Sequence, residues 1–184
     1  MPESFLGDGL IFEESLPLAW TPGPRVEAFE LARLNADNQQ LLGAEASLDD
    51  VRVHDALKDE SAALLHELQR LEYKMNILLR LIAELRYSAM PPPQKVKISA
   101  RALEWFTEQG PSIGETGLLA LYINPALPQP LKIPCWVVGE RLENTLRVAQ
   151  IRFEGLSDAV VDLLEKLIFR HHRRLIAGSR LAAH

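Results

Sequence analysis

Three groups of side chains in this chain have types suited to chemistry. The first is acidic and near the start: Asp8, Glu13 and Glu14. Acid–base catalysis needs carboxylates held in contrasting environments. Nothing around these three supplies that contrast, and they read as a solvated acidic strand edge. The second is Cys135, the chain's one cysteine. A lone cysteine excludes an internal disulfide and a cysteine-rich metal site. It lies in the apolar run Ile133–Val138, where a thiol is a small core filler. The third is a basic stretch near the C-terminus, Lys166, Arg170, His171, His172, Arg173, Arg174 and Arg180. Adjacent histidines point in different directions on a helix, so the pair makes no metal site. Cations at a helix C-terminus offset its dipole or meet an acidic partner or a nucleotide. Arg170, Arg173 and Arg174 are the residues such a contact would use. No constellation calls for a catalytic role, a metal or a cofactor, and the chain is expected not to be an enzyme.

The dominant element is apolar. Leu57, Leu64, Leu71, Leu78 and Leu85 recur at seven-residue spacing, with Ser61, Leu68, Met75 and Ile82 between them. Steps of alternating four and three are the a/d pattern of a coiled coil. The spacing predicts a helix over 48–88, with Pro91, Pro92 and Pro93 barring its continuation. At 1.5 Å per residue it would be roughly 60 Å long. A domain of this size has a radius of gyration of only about 16 Å. Each leucine left in water forfeits roughly 1.5–3 kcal/mol, so copies are expected to bury the stripe together. The competing arrangement is an intramolecular hairpin, with helix 25–42 folded back along the rod. A dimer is compatible with the leucine row. Leu65, Leu79 and Leu81 widen the stripe beyond a two-stranded seam, and a homo-tetramer is favoured.

Composition bounds the rest. The chain has 184 residues and a formal charge of −5, which gives no electrostatic reason to expect nucleic acid or an anionic membrane. No apolar run approaches the ~20 residues of a membrane span, and the acidic start lacks a signal-peptide layout. A cytoplasmic location is expected. Residues 1–24 read as a short extended segment, 25–42 as a first helix and 43–47 as a turn. Asn38 would sit in a seam and fix its register. After the prolines the period changes from helix to strand. Val96–Ser99, Ala102–Phe106, Leu118–Ile123, Leu131–Val138 and Leu146–Phe153 are short strands between turn residues. Their spacing predicts a small antiparallel barrel. Ser157 then caps a last helix with Val160, Val161, Leu164, Leu167 and Ile168 on one face. The fold class is α+β: a helical oligomerisation region over 25–90, then a barrel and C-terminal helix over 91–184.

The order of strand, Ile98-Ser99-Ala100-Arg101-Ala102, strand, Ile113-Gly114-Glu115, apolar strand, and Val148–Phe153 into a helix resembles a PilZ domain over about 94–176. With two heptad-bearing helices ahead of it, the whole is similar to the atypical PilZ subgroup that assembles as tetramers. The resemblance implies a bacterial barrel of the cyclic-di-GMP signalling class. Typical receptors place Arg-x-x-x-Arg ahead of the barrel strand, where two guanidiniums meet phosphate and guanine. Here that place reads Ala89-Met90-Pro91-Pro92-Pro93. The second signature, Asp/Asn-x-Ser-x-x-Gly, aligns with Lys97, Ser99 and Ala102. Lysine has no acceptor, and Ala102 adds a side chain where close approach is wanted. The resemblance therefore implies a member defective in ordinary cyclic-di-GMP binding that works through other proteins. The alternative is a receptor with an atypical site.

Overall fold

The computed structural model describes residues 5–7, 9–51, 62–87, 90–108, 110–124, 127, 129–143 and 146–181. Its body is a closed antiparallel barrel in the order β1-β2-β3-β6-β5-β4. The strands are β1 (Phe12–Pro22), β2 (Pro93–Ile98), β3 (Ala102–Thr107), β4 (Thr116–Leu121), β5 (Leu131–Glu143) and β6 (Leu146–Phe153). Alternation places Leu16, Leu18, Val96, Ile98, Leu103, Trp105, Leu119, Leu121, Ile133, Val137 and Ile151 in one buried cluster. Strand β5 tolerates Pro134 because β6 reaches only as far as Cys135, so the missing N–H falls beyond the end of that ladder.

The barrel's closing strand comes from the N-terminal segment. Strand β1 pairs with β2 over Phe12–Pro17 and with β4 over Leu18–Pro22. The residues expected to form a separate extended piece are thus structural staves of the barrel. The helical region stands between two neighbouring strands, β1 and β2, as an insertion.

Three helices complete the chain: α1 (Ala28–Val51), α2 (Ala62–Tyr87) and α3 (Asp158–Leu181). Helix α1 runs unbroken through Gly43–Ser47, where a turn was expected. A mid-helix glycine costs only about 1 kcal/mol, and burial of Leu42 on the same helix, worth roughly 1.5–3 kcal/mol, outweighs it. Helix α1 packs against α3 and β5 rather than along α2. Helix α3 buries Val160, Val161, Leu164, Leu167 and Ile168. As expected, Ser157 caps it, its Oγ accepting the Val160 N–H at 3.4 Å. Gly155, at φ +66°, makes the turn into α3 with the Leu31 side chain lying where a Cβ would go. Only glycine meets both demands there.

Candidate functional site

The turn joining β2 to β3 carries the nucleotide-type motif. The Ser99 N–H donates to the Ala102 carbonyl at 2.9 Å, and the Ser99 hydroxyl donates to the same oxygen at 3.3 Å. Ser99 and Ala102 are buried. Their chemistry is committed to closing the hairpin.

Lys97 lies on the barrel's outer face, and the register surrounds it with acid. Cross-strand pairing sets Glu13 against Lys97, Lys97 against Glu104, and Glu104 against Gln150. This makes a polar row perpendicular to four strands. The Lys97 ammonium stands 4.0 Å from Glu13 and 3.9 Å from Glu143. Glu104, only 6% exposed, accepts from Arg141 at 2.9 Å and from Gln150 at 2.7 Å. Arg141 also bonds Glu143. Lys95 donates to Glu13 at 2.7 Å. The shifts follow from these contacts. The Arg141 hydrogen bond pulls Glu143 below the ordinary carboxylate range, and the Glu13 bond raises Lys95. Lys95, Lys97 and Arg141 in this row each have a carboxylate within 4 Å.

The described part of the heptad row sits on α2. Leu68, Leu71, Met75, Leu78, Ile82 and Leu85 are all bare, between 46% and 82% exposed, and Leu81 and Tyr73 are exposed beside them. Leu57 and Ser61 lie outside the described residues, and so does the side chain of Leu64.

Two asparagines tie α1 to the barrel. The Asn38 amide donates to the Lys132 carbonyl at 2.8 Å and accepts the Lys132 N–H at 3.0 Å. It supplies the ladder partner that β6 is too short to give. Asn38 was expected in a coiled-coil seam; it is instead a substitute peptide group, 2% exposed. One turn earlier, Asn35 donates to the Gly155 carbonyl at 2.9 Å and accepts the Ser157 N–H at 2.9 Å. Further along, Glu45 pairs with Arg170 of α3.

The basic group on α3 therefore divides. Arg170, expected at a partner contact, is turned inward to Glu45. Arg173 is exposed and lies over its own Phe169, 5.8 Å from the ring centroid. Arg174 is exposed and acts on Glu14, whose carboxyl is raised by burial and partly restored by that charge. His171 stacks on Phe12 with centroids 4.3 Å apart. Burial pushes the Cys135 thiol up to about 12, so it is no nucleophile. Among the described residues no cluster of three His, Cys, Asp or Glu side chains could hold a metal, and no helix is long and apolar enough to cross a membrane.

Sequence reasoning missed Glu104, Arg141, Glu143 and Gln150 as neighbours of Lys97. Strand alternation puts Lys97, Glu104 and Gln150 on outer faces, but their adjacency depends on strand order.

Known proteins place this architecture. No curated protein matches the chain significantly. A crystal structure of a pathogenic protein from Xanthomonas campestris superposes with a TM-score of 0.74 and 26% identity over 92% of this chain and 91% of that one. It is described as a new tetrameric PilZ domain self-assembled through an unusual helical bundle. The family model described as atypical PilZ domain, cyclic di-GMP receptor, matches residues 42–181. With the barrel, the helical insertion and that match together, the chain belongs to the atypical PilZ domain family.

Proposed function

We propose that the chain is a non-enzymatic signalling adaptor of the cyclic-di-GMP class. It assembles as a homo-tetramer through α2 and acts through protein contacts, with little ordinary affinity for cyclic-di-GMP. The observation that carries the reading is the pairing of an uncovered α2 with a cation-matched barrel face. Burying Leu68, Leu71, Met75, Leu78, Leu81, Ile82 and Leu85 is worth on the order of 10 kcal/mol per chain, ample for stable assembly. The relative from Xanthomonas campestris, described as self-assembling through a helical bundle, supports the same use of the helices here. On the barrel, Lys97 stands where a receptor offers an acceptor and is flanked by Glu13 and Glu143. A soluble adaptor in a reducing cytoplasm suits the single buried thiol.

Two measurements test it. Leu71→Asp combined with Leu78→Asp is expected to reduce the mass seen by light scattering to that of one chain, or to give aggregates. Parental mass would remove α2 from the interface. Calorimetry with purified native protein is expected to give no heat with micromolar cyclic-di-GMP, and a saturable micromolar isotherm would establish a receptor instead.

A further inference from the structure

Helix α1 lies on the body of the protein along a face that mixes apolar and polar side chains. Leu34 and Leu42 are buried there, and Asn38 and Glu45 are buried with them, each only 2% exposed. Apolar contacts hold a helix to its neighbour without fixing its direction, because hydrophobic attraction is itself non-directional. The polar contacts do fix it. Asn35 and Asn38 bond the main chain at Gly155, Ser157 and Lys132, which anchors the first half of α1 to the barrel and to the start of α3. About two turns further on, the Glu45 carboxylate pairs with the Arg170 guanidinium of α3.

The two sides of this pair differ. On α3, Leu167 and Ile168 are buried just before Arg170, and His171 just after it stacks on Phe12 and stands 3.9 Å from Glu14 of β1. Arg170 is thus carried by a stretch pinned to the barrel. On α1, the helix ends at Val51 shortly after Glu45, and the chain runs on to α2. Burying a carboxylate and a guanidinium costs both their hydration. Packed apolar side chains in place of such a pair leave a protein as stable or more so, whereas removing one partner strands the other's charge. Stability alone therefore gives no reason for a pair here, and direction does.

We infer that the Glu45–Arg170 pair is a conformational joint that sets the direction in which α1 leaves the body, with Asn35 and Asn38 as its pivot. Closed, it holds α1 in one direction. Open, it frees the second half of α1 to swing about Asn38 while the apolar contacts persist. At 1.5 Å per residue, Val51 lies about 20 Å beyond Asn38, so a tilt of about 15° moves that end by about 5 Å. The joint thereby places α2 relative to the barrel, and in an assembly it sets how the barrels face one another. That last consequence rests on the reading of α2 as the assembly element. The joint itself does not, because the following experiment reads distances inside one chain, whereas light scattering of the α2 variants tests assembly.

Nitroxide labels are placed on the full chain at exposed positions, with Cys135→Ala removing the native thiol. One label stands at Leu142 of β5, and the other at Ala36 or at Ser47 of α1. Labelled chain is diluted into unlabelled chain, and distances are read by pulsed electron double resonance. The pair is then replaced by Glu45→Met with Arg170→Met. The distribution between Ser47 and Leu142 is expected to broaden or shift by about 5 Å, and that between Ala36 and Leu142 to stay as in the native chain. The double variant is expected to melt at or above the native temperature, and each single variant below it. Native Ser47 distances in the double variant overturn the inference. Equal broadening at Ala36 does so too, because the whole helix has then come loose and there is no pivot. A double variant that does not fold, or melts below both single variants, makes the pair a stabilising contact and overturns the inference as well.

Discussion

A segment covering 91–184 contains five of the six strands and α3, and by sequence it looks self-sufficient. We expect it not to fold. It lacks β1, whose Phe12, Leu16 and Leu18 are at most 5% exposed in the full chain. At roughly 1.5–3 kcal/mol each, these three side chains are worth about 5–9 kcal/mol. Their removal also uncovers Val96, Ile98, Leu119 and Leu121, which they face. Two strands, β2 and β4, would become open edges with unpaired backbone groups. Against a typical domain stability of about 5–15 kcal/mol, the loss is decisive. A companion chain restores β1 and omits the helices, with a flexible Gly/Ser linker joining Pro22 to Pro93. The linker must return along the stretch from Pro22 to Pro17, the residue paired with Pro93. About ten residues suffice at ~3.3 Å each. Urea unfolding followed by far-ultraviolet circular dichroism compares the two. The linked barrel is expected to unfold cooperatively and, lacking α2, to be monomeric. The 91–184 segment is expected to show no cooperative transition. A cooperative transition for that segment, within about 2 kcal/mol of the linked barrel, would refute the reasoning about closure.

Other perturbations test single contacts. Asn38→Ala strips both partners from the Lys132 backbone and should cost about 1–3 kcal/mol in urea unfolding, because those groups stay buried and unsatisfied. Gly155→Ala is expected to destabilise by about 1–3 kcal/mol, from the left-handed backbone and the encroachment on Leu31, and thermal unfolding will report it. Glu14 has a folded pKa above its ordinary value of 4.5 because burial disfavours its charge. Its contribution to stability is therefore present at low pH and lost as pH rises through the raised value. Glu14→Gln should flatten that part of the profile in melts taken between about pH 4 and 7, and a steeper loss toward neutrality would contradict the sign.

Local patterns carried much of this structure. The alternation in Val96–Ser99 and the apolar runs Leu118–Ile123 and Leu146–Phe153 need only neighbouring residues to be legible, and strands β2, β4 and β6 cover most of them, ending at Ile98, Leu121 and Phe153. The same holds for Ser157 as a helix cap and for the apolar face of α3. Substitution of Lys97 and Ala102 at motif positions was visible without any fold. The role of Phe12–Pro22 was not, because an extended segment does not record which strands it joins. Gly43 looked like a turn because its intrinsic preference is local, whereas the burial of Leu42 that overrides it depends on α3 and the barrel.

The residues by themselves determined periodicity, and with it the apolar stripe of the rod and the barrel class, and they showed Lys97 and Ala102 at the motif positions. Tertiary structure alone decided which strand closes the barrel and what Asn38 and Arg170 bind. It also decided that Lys97 stands among carboxylates. The division has one physical reason. Periodicity is a relation between residues a few positions apart, while Lys132 lies 94 positions from Asn38 and Arg170 lies 125 from Glu45. Contacts at such separations exist only once the chain has closed on itself.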